Sequence, residues 1–265
     1  MPFSIDHIVI ASDNLDAAII NARAAGFTVV PGGVHGSGNT QNALIGFEDG
    51  SYLELFAPTP QPRTAEHRWF ARIRNGGGLV DFCLLGADLA TEITRIRRGG
   101  IEYSQSFAMV RVTPDGARIE WSLSTPPGIA GQNGWPFMIE DTTPRAIRIP
   151  HAPEQIRHAN GSKGVAGVTV LVRNVEASSK AYEAILGTQP QPAAGSQDGT
   201  GRLFSINGAW IQVREPRSTD EKEHLERHGQ GPYRLTLRSN GGQIGPEAGS
   251  LLDPDLFSGA KVAVA

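Results

Sequence analysis

The sequence predicts an α+β protein built from repeats of one β-α-β-β-β unit. Three observations carry this. Residues 4–58 read as strand, helix and three strands in that order. The order returns from residue 164, and Gly50-Ser51-Tyr52-Leu53-Glu54-Leu55-Phe56-Ala57-Pro58 aligns without a gap on Gly208-Ala209-Trp210-Ile211-Gln212-Val213-Arg214-Glu215-Pro216. The 265 residues include 32 Gly and 18 Pro, a supply of turn formers that suits many short strands and few long helices.

The elements follow in order. Residues 4–11 form an apolar strand. Asp13 or Asn14 caps a helix over 15–25, with Leu15, Ala18, Ile19, Ala22 and Ala25 on one face and Gly26 ending it. Residues 27–31 form a second strand, and 32–38 a glycine-rich loop that carries His35. Residues 40–47 and 51–57 are strands joined by a Glu48-Asp49-Gly50 hairpin. A second copy has a strand at 78–85, a helix at 89–98, and strands at 106–113, 118–124 and 135–141. A third has a strand at 164–173, a helix marked by Val175, Ser179, Tyr182 and Leu186, and strands at 202–206 and 209–214. The charge-rich run 214–227 reads as a solvated loop or helix. The last copy is truncated, with strands at 233–238 and 261–265. The expected organisation is a first half over 1–142 with two units, a Pro-, Arg- and His-rich linker over 143–163, and a second half over 164–265.

Composition excludes several classes. A net charge of -3 leaves no basic footprint for nucleic acid. No run of 18 apolar residues exists to span a membrane, and the N-terminus lacks a basic leader, so the cytoplasm is the expected compartment. A single cysteine, Cys83, excludes an internal disulfide. Gly32-Gly33 to Gly38 lacks the Lys-Ser/Thr ending of a phosphate loop, so no nucleotide cofactor is expected.

Two side chains stand out on apolar strands: His7 and Glu54. Such groups are costly to bury unpaired. A divalent metal pairs them, or they bond to one another. His35 titrates near neutrality and suits a general acid or base. Gln41 or Asn42 can hydrogen-bond substrate oxygens, but only one points inward. Arg118 either clamps a substrate carboxylate or pairs with Glu120, with Trp121 on the opposite face. Trp135 and Phe137 wall an aromatic pocket or pack a core. His158, before an Asn160-Gly161 turn, caps that turn or takes part in chemistry. His67, His151, His224 and His228 lie in polar or charged surroundings and read as solvated surface.

Asp6-His7-Ile8-Val9-Ile10, Pro31-Gly32-Gly33-Val34-His35, Asn42-Ala43-Leu44 and Gly50-Ser51-Tyr52-Leu53-Glu54-Leu55 resemble the glyoxalase-like domain family of the vicinal oxygen chelate superfamily. Trp135 to Glu140 and His158-Ala159-Asn160-Gly161 resemble its later segments. The resemblance implies paired units whose mixed sheets curl into cups, as in glyoxalases, bleomycin-resistance proteins and extradiol dioxygenases. It selects Asn42 over Gln41. It implies metal ligands on the first and last strands of paired units: His7, Glu54 and Glu140, with Asp81 or Phe82 at the fourth position. Mn, Fe, Zn and Ni suit such a set equally.

The expected activity is metal-assisted lyase, isomerase or ring-opening oxygenase chemistry on a small oxygenated molecule, with His35 and Glu54 catalytic. The alternatives are a non-catalytic binding or resistance protein and a metal-free enzyme using His35. A homodimer is compatible with the truncated last unit.

Overall fold

The computed structural model describes residues 2–64, 66–193, 201–241 and 245–265. Its first half is β1 (Phe3–Ala11), α1 (Leu15–Ala24), β2 (Val30–His35), β3 (Thr40–Gly46), β4 (Tyr52–Pro58), α2 (Phe70–Arg74), β5 (Gly78–Gly86), α3 (Leu89–Arg98), β6 (Phe107–Val112), β7 (Arg118–Ser124) and β8 (Phe137–Asp141). After α4 (Arg145–Arg148) come β9 (Gly164–Leu171), α5 (Val175–Leu186), β10 (Gln191–Pro192), β11 (Gly201–Ile206), β12 (Ala209–Arg214), α6 (Thr219–His228), β13 (Gly231–Arg238), β14 (Ser250–Leu251) and β15 (Lys261–Val264). The fold is the expected α+β one of repeated, curved mixed sheets.

The eight strands of the first half close into a barrel, in the order β1-β4-β3-β2-β6-β7-β8-β5. Each unit sets its first strand parallel to its last, β1 with β4 and β5 with β8. The two first strands run antiparallel down the middle. On the far side, β2 and β6 meet through two residue pairs, Val34–Val112 and His35–Arg111. Strand alternation sorts the side chains. Ile8 and Ile10 of β1 pack outward, while Val9 and Ala11 join Phe56, Trp121 and Phe137 inside the barrel.

The second sheet runs β10-β11-β12-β9-β13-β15-β14. One apolar cluster joins Ile8, Ile10 and Phe82 of the barrel wall to Val168, Val170 and Leu235 of that sheet. The repeat holds in the register. Tyr52 pairs with His7 across β4 and β1, as Trp210 pairs with Gly167 across β12 and β9. In the later copy the Trp210 ring covers Gly167, so any side chain there would collide with it. Gln212, opposite Glu54 in the repeat, accepts a bond from Thr169.

Several expectations are corrected. The second strand is not 27–31 but Val30–His35, running through the expected glycine loop. A bulge between Pro31 and Gly33, with Gly33 at φ 124°, lets it continue to β6. The stretch expected as a linker includes α4, whose Arg148 is 3% exposed. Of the two cap candidates offered for α1, Asn14 is the one that caps, accepting from the Ala17 N–H. Arg214 is buried and pairs with Glu221 at 2.7 Å, so the start of the charge-rich run is not solvated.

Candidate active site

The barrel encloses a cavity of about 570 Å³, counting the space open to solvent at its mouth. Its polar end is built by alternation on four strands. β1 contributes His7, β2 His35, β3 Thr40 and Asn42, and β4 Tyr52 and Glu54. Phe56, Trp69, Trp121, Phe137 and Ile139 form the apolar wall.

Glu54 is the hub. Its Oε1 accepts from Asn42 Nδ2 at 2.6 Å, and its Oε2 lies 3.5 Å from His7 Nε2. Burial opposes its charge, but the bond and charge of His7 prevail and hold its pKa at about 2. His7 stacks on Tyr52 at 4.5 Å, and its Nδ1–H donates to Asp6 Oδ1 at 2.6 Å. Burial works against its imidazolium, yet Asp6 and Glu54 raise its pKa above the ordinary 6.5. Asp6 is anchored by Arg148, which reaches both its oxygens at 3.1 and 2.7 Å, and by Arg145. Those arginines overcome complete burial and keep the carboxyl well below its ordinary range.

His35 is the opposite case. Burial lowers its pKa, and Arg111 adds to that effect against the pull of Glu54. Its Nδ1 bonds Thr40 Oγ1 at 2.8 Å, and its Nε2 faces Asn42 Nδ2 at 3.4 Å. The Asn42 amide thus reaches Glu54 with one hydrogen and turns the other to a neutral imidazole. Its orientation is fixed because Oδ1 accepts from Arg111 Nη1 at 3.2 Å. Gly32 leaves room for this pair, since a Cβ there would fall on Asn42 Oδ1. Arg111 is 4% exposed and bonds the Arg148 carbonyl through Nη2. Its Nε has no hydrogen-bond partner, and no carboxylate pairs with it, among the described residues.

The glyoxalase-like domain family matches residues 5–186, a stretch that holds every member of this network. The chain belongs to the glyoxalase-like domain family. Its fold is that of the vicinal oxygen chelate superfamily. A hypothetical protein from Staphylococcus aureus shares it with a TM-score of 0.74, 13% identity and 99% of both chains covered. A mutant of 4-hydroxymandelate synthase from Streptomyces coelicolor matches with a TM-score of 0.61 and 12% identity, over 89% of this chain and 71% of that one. A xylose isomerase-like TIM barrel/4-hydroxyphenylpyruvate dioxygenase fusion protein matches with a TM-score of 0.54 and 11% identity, over 89% of this chain and 36% of that one. No curated protein matches the sequence.

In this glyoxalase-like barrel, His7, His35, Asn42, Glu54 and Phe137 of the expected site residues come together. Three others do not. Glu140 faces away: β8 turns Phe137 and Ile139 into the cavity, and the Glu140 carboxylate accepts from Leu89 N–H at the start of α3. Arg118 projects outward and pairs with Glu120 at 2.6 Å. Trp135 stacks against Tyr103 outside the cavity. Neither Asp81 nor Phe82 takes the fourth ligand position. Asp81 accepts from Trp69 Nε1 at 2.9 Å and pairs with Arg68, Phe82 joins the outer core, and Cys83 stands opposite His7. His158 pins two turns, accepting from Thr28 N–H and bonding the Gly46 carbonyl. His67, expected on the surface, lies on the cavity wall against Phe56, where burial drives its pKa down to about 4.

The ligand set that the resemblance implies, His7, Glu54 and Glu140, does not converge, because Glu140 is turned to α3. Among the described residues, one trio of donor atoms lies within 4.8 Å: Asp6, His7 and Cys83. Its carboxylate is committed to two arginines, and burial pushes the thiol pKa well up. No helix among the described residues is long and apolar enough to cross a membrane.

Proposed function

We propose that this protein is an enzyme that moves a proton next to the carbonyl of a small 2-oxo acid with an apolar or aromatic tail, without a metal. One observation carries the reading: a proton-poor and a proton-rich imidazole, His35 and His7, flank one carboxylate in a cavity whose remaining cation, Arg111, has no carboxylate partner among the described residues. Arg111 receives the substrate carboxylate. The aromatic wall takes the tail. His35 Nε2, giving up its long 3.4 Å contact with the Asn42 amide as substrate enters, removes the proton on the carbon beside the carbonyl. His7 Nε2–H bonds the oxygen as negative charge builds on it, and Glu54 keeps that imidazole protonated. Returning the proton to a neighbouring position completes an isomerisation, and expelling a leaving group, with its bonding pair, from the carbon next to the deprotonated one completes an elimination. The two named enzymes of like fold bear the names of aryl hydroxy and oxo acids, which supports this substrate class.

Phenylpyruvate in D₂O tests the reading, with exchange of its C3 protons followed by NMR. Exchange should exceed the buffer rate, survive exhaustive chelation, and fall roughly 100-fold or more in His35→Gln. Exchange at the buffer rate, or unaffected by the substitution, overturns it. Binding without exchange assigns the cavity to a carrier instead.

A further inference from the structure

A second cavity, of about 680 Å³ including the space open to solvent, lies outside the barrel between α2, the loop before β5, α6 and β15. Arg72, His224, Arg227, His228, Tyr233 and Lys261 line it, beside the glycines of Asn75-Gly76-Gly77-Gly78. No carboxylate is among its described lining residues. The glycines bring no side chain into the space. A Cβ at Gly77 would strike the Ala11 carbonyl oxygen at 2.2 Å, so the thin wall is forced by packing.

Among the described residues the cations here have no ion-pair partner. Arg72 is 7% exposed and gives Nη2 to the Leu79 carbonyl at 2.8 Å, but its buried Nη1 has no partner. His228 Nδ1 is likewise buried without a partner. Lys261 lies over the Tyr233 ring at 4.4 Å and touches its hydroxyl. Glu221 of α6 is already bound through both oxygens to Arg214. Among the described residues no ion pair joins Arg72, Arg227 or Lys261 to a carboxylate. The local field is strong: burial first, then Arg72, Lys261 and Arg227, push His224 down to about 4. A buried guanidinium with an unmade bond is costly unless something completes it.

We infer that this cavity binds the phosphoryl group of a small molecule. Three permanent cations outnumber the charge of a single carboxylate, whereas a phosphoryl dianion offers three oxygens to a guanidinium fork and an ammonium together. The site is separate from the barrel cavity, and its ligand does not depend on the reaction proposed there.

Isothermal titration of the full chain with inorganic phosphate, then glucose 6-phosphate, tests this, with sulfate as the comparison ion. One of the two phosphates should bind more tightly than sulfate, and the tighter of the two identifies the free ion or an ester as the ligand. Arg227→Ala, at an exposed position, and Lys261→Met should each weaken binding roughly tenfold or more. Arg111→Met, in the barrel, should leave it unchanged. Absence of binding by both phosphates, equal binding of sulfate, or loss in Arg111→Met with no loss in Arg227→Ala overturns the assignment.

Discussion

Asp6 and His7 are consecutive residues of one strand, yet their side chains meet at 2.6 Å. In a regular strand they would point to opposite faces. The pairing of β1 with β5 slips between Ile5 and His7, and that irregularity turns both toward one end of the barrel. The carboxylate is fully buried and held by Arg148.

Removing the Asp6 charge should therefore hurt twice. Asp6→Asn takes one of two carboxylates from Arg148, which keeps its pair with Asp141, and should cost about 2–3 kcal/mol in denaturant unfolding. NMR titration should also find the His7 pKa lower than in the wild type. An unchanged His7 titration would remove Asp6 from the network.

The pH dependence follows from the signs. His7 has a folded pKa above the ordinary 6.5, so its contribution to stability is complete below that value and is lost as pH rises through the raised one. Glu54 contributes above its ordinary 4.5 and loses that contribution as pH falls toward about 2. His35, with its lowered pKa, contributes above 6.5 and loses this as pH falls through the lowered value. Turnover needs neutral His35 and protonated His7, so its pH profile should be a bell with the rising limb below 6.5 and the falling limb above it. His7→Gln should abolish the falling limb.

Arg111→Lys and Arg111→Met separate charge from fork geometry. If Arg111 holds the substrate carboxylate, Arg111→Met should raise KM roughly 10- to 100-fold and change kcat less, with Arg111→Lys between. A fall in kcat at constant KM would place the substrate carboxylate elsewhere.

Glu140→Gln distinguishes the sequence expectation from the observed geometry. The bond to Leu89 N–H predicts a loss of about 1 kcal/mol in stability and no change in turnover. The purified wild type should carry less than about a tenth of an equivalent of any transition metal, unaltered by His7→Ala. A stoichiometric metal lost on that substitution would restore the metal-dependent reading.

The unit order was legible in the apolar pattern, His7 and Glu54 stood out because charged groups on apolar strands are costly to bury, and Asn42 came from the family resemblance. The side chains opposite them were harder. On β7, Arg118 and Glu120 carry the charge that attracts notice, while Ile119 and Trp121 carry the inward face. On β8 the same alternation that turns Phe137 inward turns Glu140 out. Arg111 sits in an unremarkable Val110-Arg111-Val112 run, and only closure of β6 against β2 brings it beside Asn42. Arg148 lies 142 positions from the Asp6 it neutralises, and no local pattern records such a partnership.

The barrel is shut at β2 and β6 by only two residue pairs, and His35 with Arg111 is one of them. Elsewhere neighbouring strands share three pairs or more. A seam with so few ladder pairs is where local opening would cost least. The proposed base and the proposed carboxylate receptor therefore stand on opposite lips of that slit. Parting of the wall at this seam would separate the two groups, and its closure would restore their spacing.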